Sequence, residues 1–150
     1  MTGTTWILAA DGTQARLLKG VNLIKDGRQN PEQEIFRTEV RKAQDIMTDR
    51  PGRSHSSVGP GRSAMDYPSD PVREEQQRFA AEIADRIDDY AAKGEFDRLV
   101  LCAAPQTLGD LRGRLSDRVR TLTTAEIDKN FSSLPTDKLI SSVRSIMFDA

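Results

Sequence analysis

The chain has 150 residues, 37% apolar and 30% charged, with a formal net charge of −1. That length fits one domain over residues 1–150 with one core, and the composition is polar without being that of a disordered chain. The near-zero charge excludes a global field that would draw the protein to nucleic acid or membrane, so any basic surface must be local.

Thr5 to Ala10 is a short apolar run ended by Asp11-Gly12. Asp-Gly favours a type I′ hairpin turn, because that turn needs positive φ at both central residues. Thr13 to Lys19 supplies the return strand, with Ala15 and Leu17 facing inward. Residues 21–31 are polar, with Gly27, Asn30 and Pro31, and read as a turn. Glu34 to Val40 reads as a third strand, giving an opening antiparallel meander.

A polar stretch follows, a long loop over about 42–70 in which Pro-Gly-Arg-Ser occurs twice, at 51–54 and 60–63. Residues 41–63 hold Arg41, Lys42, Arg50, Arg53 and Arg62 against Asp45 and Asp49, a local surplus of three positive charges. So long a connection in a compact domain is either functional or disordered. Asp70 then suits an N-cap, Pro71 the first helical position, and Glu74 and Glu75 the positive end of the helix dipole. Val72, Gln76, Phe79, Ala80, Ile83, Ala84, Ile87, Tyr90 and Ala91 recur at helical spacing, Gln76 being the one polar position, and Lys93-Gly94 is a fitting stop.

Leu99 to Ala104 is continuously apolar, the pattern of a central strand covered on both faces. Thr107 to about Arg118 reads as a second helix, Val119 to Ile127 as a fifth strand, and Thr136 to Phe148 as a last helix. The fold class is therefore α/β: a five-stranded mixed sheet with three helices packed on it.

Several chemistries are disfavoured by the residues themselves. Cys102 is the one cysteine, so an internal disulfide or a multi-cysteine metal site is impossible, and its apolar strand suits an inert thiol. His55 is the one histidine, which removes histidine-based metal clusters. Carboxylate pairs such as Asp85 with Asp88 or Asp89 fall on the polar face of the long helix, where charge is expected anyway. No cofactor and no metal are indicated. Arg112, Arg114, Arg118 and Arg120 form a second basic cluster, explained equally by a solvated helix face or by a wider nucleic-acid footprint.

The doubled tetrapeptide is the candidate site. Gly52 and Gly61 allow close backbone approach, Ser54 and Ser63 add hydroxyls, and Arg53 and Arg62 offer planar forks matched to phosphate, with Arg50 and His55 alongside. The reading is an RNA- or anion-contacting loop. It is not a P-loop, since Gly-x-x-x-x-Gly-Lys-Ser/Thr is absent.

The blocks Trp6–Gly12 with Ala15-Arg16, Asp49–Ser54, Asp70-Pro71, Phe96–Leu101, Ala104-Pro105, Leu108-Gly109-x-Leu111-Arg112 and Glu126-Ile127-x-Lys129 resemble the bacterial host attachment protein family. That name describes a phenotype rather than a molecular activity. The same layout resembles the middle domain of archaeal and eukaryotic peptide-chain release factors, whose mobile loop carries Gly-Gly-Gln followed by Ser-Ala. Here Pro60-Gly61-Arg62-Ser63-Ala64 stands in that place, with arginine where the glutamine would be and proline for the first glycine. The resemblance implies contact with RNA or the ribosome, without the glutamine on which peptide release depends.

Function accordingly reads as a non-enzymatic domain that affects attachment indirectly. The alternatives are a protein-interaction module and, third, a hydrolase using His55 or a loop serine. The opening residues show no secretory pattern and no apolar run suits a membrane span, so a cytoplasmic location is expected, with RNA, the ribosome or a protein as partner.

Overall fold

The computed structural model describes residues 3–25, 27–47 and 70–148, the side chains of 44–47 aside. Strand β1 (Thr5–Ala10) pairs antiparallel with β2 (Gln14–Val21), and β2 pairs antiparallel with β3 (Glu32–Arg37). Helices α1 (Glu39–Met47) and α2 (Pro71–Ala92) precede β4 (Arg98–Ala103), which lies parallel to β1. Two short helices, α3 (Pro105–Arg112) and α4 (Asp117–Leu122), lead into β5 (Thr123–Ile127), parallel to β4, and α5 (Thr136–Phe148) ends the fold. The strand order is β3-β2-β1-β4-β5, a mixed five-stranded sheet whose two central strands are the most apolar.

Alternation along those strands builds two cores. Trp6, Leu8 and Ala10 of β1, with Leu99, Leu101 and Ala103 of β4, meet Phe79, Ile83 and Ile87 of α2 and Leu108 and Leu111 of α3. On the opposite face Ile7, Ala9, Val100 and Cys102 meet Leu139, Ile140 and Val143 of α5. Both faces of β1 and β4 are thus covered, which is why their sequences run apolar without a break. Trp6 packs edge-on against Tyr90, with ring centroids 5.1 Å apart, and lies 5.0 Å from Phe96. Such pairs add to the burial of large rings.

Three sequence expectations need correction in detail. The connection after β1 is Asp11-Gly12-Thr13, and Gly12 is not among the described glycines with positive φ, so no type I′ turn forms. The third strand begins and ends earlier than Glu34–Val40. Residues from Glu39 onward are helical because Thr38 caps them, its hydroxyl accepting from the Arg41 N–H at 3.0 Å. The helix read over 107–118 is broken in two. It stops at Gly113, and Ser116 opens α4 by accepting from the Val119 N–H at 3.1 Å, so residues 119–122 are helix rather than strand.

Other boundaries agree. Asp70 accepts from Val72 and Arg73 N–H groups and Pro71 opens α2. Gly94 ends it at φ +71°, its N–H donating to Ala91 O at 3.0 Å while the Glu95 N–H donates to Tyr90 O at 3.1 Å. Only a residue tolerant of positive φ closes a helix this way without strain.

Candidate functional site

The carboxyl end of β1 is where the chain gathers its polar contacts. In open α/β sheets this end, at the strand from which connections diverge, is where ligands generally sit. The Asp11 N–H donates to Gln14 O at 2.8 Å, closing the turn. Asp11 Oδ1 accepts from the N–H groups of Thr13 (2.7 Å) and Gln14 (2.9 Å) and from the Thr13 hydroxyl (3.1 Å). Asp11 Oδ2 accepts from the Ser132 hydroxyl at 2.9 Å, and that hydroxyl lies 2.6 Å from Asn130 Oδ1. Burial pushes the Asp11 carboxyl up, but the donors from Thr13, Ser132 and Gln14 outweigh it and hold the group below its ordinary value.

Arg16 extends this junction. Its guanidinium donates to the carbonyls of Ser132 and Leu134, to Gln33 Oε1 at 3.2 Å and to the Thr136 hydroxyl at 2.9 Å, and burial lowers its pKa. The segment after β5 and the start of α5 are thereby tied to β2. These groups bond to one another and fasten the turn, β2 and the approach to α5 together.

On the other side of the turn stand the starts of α1 and α2, the helices that border residues 48–69. The Thr38 N–H donates to Thr13 O at 2.9 Å, fixing the start of α1 against the turn. A Cβ at Gly12 would fall 2.8 Å from Gln76 Nε2, so glycine here permits close approach of α2 rather than an unusual φ. Arg73 donates to Gln76 Oε1 at 3.3 Å and grips Asp110 of α3 with two bonds, 2.7 and 2.6 Å. The hydrogen bonds to Asp110 hold the Arg73 guanidinium above its ordinary pKa. Between the starts of α1 and α2 lies a cleft of about 370 Å³, with Val40 (54% exposed) and Val72 (66% exposed) on its rim.

The eight residues singled out from sequence, Arg50, Gly52, Arg53, Ser54, His55, Gly61, Arg62 and Ser63, lie outside the described residues. What is described is what borders them: α1, whose start at Thr38 meets Thr13, before them, and α2, whose Gln76 meets Gly12, after them. Sequence reasoning missed Asp11, Ser132 and Arg16 as a unit. The Asp-Gly signal was visible, but its partners are more than a hundred residues away.

The second basic cluster is largely occupied. Arg112 donates to Glu126 Oε1 through two nitrogens, at 2.9 and 2.6 Å. Arg120 donates to the carbonyls of Leu115 and Arg112 at the end of α3, and Arg118 stands 4.0 Å from Asp88. The solvated-face reading therefore fits these arginines better than a wider footprint. Cys102 is fully buried and its thiol is pushed up to about 12 by that burial, so it stays protonated at neutral pH. No helix among the described residues is long and apolar enough to cross a membrane.

Residues 6–143 match the family described as protein required for attachment to host cells, and the chain belongs to that family. A search of curated proteins finds no match.

Proposed function

We propose that this host attachment family protein is a non-enzymatic, cytoplasmic RNA- or ribosome-contacting domain, and that its effect on attachment is indirect. Its contacts come from residues 48–69. Arg53 and Arg62 meet phosphates, Gly52 and Gly61 let the backbone approach, and Arg50, Ser54, His55 and Ser63 support them.

The observation that carries this reading is that both helices bordering the segment are fastened to the turn after β1. One is pinned to Thr13 and the other is seated on Gly12 and braced by Arg73 on Asp110. A binding segment held at both ends loses less freedom when it engages a ligand. Its likeness to the release-factor loop supports the same partner, and Arg62 at the glutamine's position favours binding without peptide release.

The test is co-sedimentation of the purified protein with ribosomes and with total RNA over a salt series. Binding that weakens with salt is expected, and the Arg53→Ala/Arg62→Ala double variant is expected to bind about ten-fold more weakly, as loss of two phosphate contacts implies. Equal binding by the double variant sinks the proposal. A second reading, a protein partner docked between the same two helices, is favoured by Val40 and Val72 on the cleft rim. Wild-type protein that fails to sediment with RNA even at low salt moves the case to that partner.

A further inference from the structure

We infer that the free edge of β5 is a docking strand for an extended acidic peptide, which adds to it as a sixth strand. The described lining of this surface comes from residues 112–126. β5 begins beside Leu99, at the opposite end of the sheet from Asp11.

Among the described residues the sheet ends at β5, which pairs with β4 alone. One flank of its backbone donors and acceptors therefore faces outward, a ready template for another strand. The other edge, β3, is blunted by Glu32, Glu34 and Arg37, and Glu34 is further engaged by Tyr90 and Arg86. β5 carries a single charge, Glu126.

A cleft of about 450 Å³ runs beside β5 and meets Thr123, Thr124, Ala125 and Glu126 in succession. Side chains of a strand alternate between faces, so a cavity touching four consecutive residues follows the backbone edge rather than one face. Its far wall includes Arg112 and Arg120. Arg120 is held by carbonyl oxygens, which position the guanidinium without cancelling its charge. An incoming strand thus meets backbone groups on one side and a fixed cation on the other. In this mode of recognition main-chain bonds supply affinity and side-chain sites supply preference.

Glu126 is already paired with Arg112, which leaves Arg120 as the cleft's cation. One fixed guanidinium suits a peptide strand, which presents acidic side chains at alternate residues, better than a phosphate chain charged at every unit.

The test uses the full chain, labelled for amide resonances, with a blocked octapeptide of alternating valine and glutamate. Saturable shifts confined to 123–127 and the α3–α4 turn are expected, with slower hydrogen exchange of the β5 amides. Arg120→Gln, whose amide nitrogen takes the place of Nε at the Leu115 carbonyl, is expected to bind about ten-fold more weakly with the same far-ultraviolet spectrum. The valine–lysine counterpart is expected not to bind. The inference is overturned if no saturable shift occurs at millimolar peptide, if the lysine peptide or an oligouridine binds there as well, or if Arg120→Gln changes nothing. Self-association that protects the same amides without peptide overturns it too, by making a second copy the occupant.

Discussion

Asp11 shows how one side chain serves two distant parts of the chain. Its Oδ1 fixes the local turn and its Oδ2 holds Ser132, so a single carboxylate joins β1 to the segment leading into α5. The four hydrogen bonds it accepts favour the ionised form, which is why its pKa falls below the ordinary value of 3.8 despite burial. The sign follows from that depression. Its contribution is present above the unfolded-state value and is lost as pH falls through the lower folded value. Asp11→Asn removes this contribution at neutral pH and with it part of the acid dependence. Denaturant melts at pH 7 and at about pH 3 are expected to show a smaller loss of stability for the variant than for wild type. Parallel curves for the two proteins rule out the role given to this carboxylate. Glu34, lowered by Tyr90, Arg86 and Lys19 against its own desolvation, contributes in the same direction and remains in both proteins.

At the scale of elements, legibility tracked how local the deciding interaction is. β1, β2, α2, β4 and α5 were readable because their cause lies within the element: an unbroken apolar run, a 3.6-residue period, Asp70-Pro71 in front or Gly94 behind. α1 was hidden inside a stretch judged by composition, although Thr38 followed by Glu39 is an ordinary helix start. The break between α3 and α4 was marked by Gly113 and Ser116, and was overlooked because the apolar spacing continues across it. The junction at Asp11 was illegible for another reason, since nothing near residue 11 announces Ser132, Gln76 or Arg16's carbonyl partners. Gly12 is the clearest case: it looks like a turn glycine and acts as a packing glycine. A Cβ there collides with the Gln76 side chain at 2.8 Å. Gly12→Ala is therefore expected to cost about 1 kcal/mol, as modest overpacking does, and the loss should largely vanish in a Gln76→Ala background. Thermal or urea unfolding of the four proteins measures this coupling. Additive losses contradict the contact between turn and helix.

At the scale of the whole molecule, the proposal predicts that the scaffold and the binding segment are separable. Among the described residues, the buried members of both cores come from 6–23 and 79–143 and cover the two faces of the sheet. The helices bordering the segment are held by contacts among Thr13, Thr38, Gly12, Arg73 and Asp110, which lie outside it. Replacing residues 50–67 with a Gly-Ser linker of similar length therefore leaves every described core contact available. Because the linker is comparable in length to the segment it replaces, the closure cost changes by well under about 1 kcal/mol. The chimera is expected to keep a cooperative unfolding transition near that of the wild type, while its sedimentation with RNA or ribosomes falls to the background of an unrelated protein. Retained binding would locate the RNA contact on the scaffold. A lost transition would mean that residues 50–67 belong to the folded unit, and the division of labour proposed between sheet and segment would fail with it.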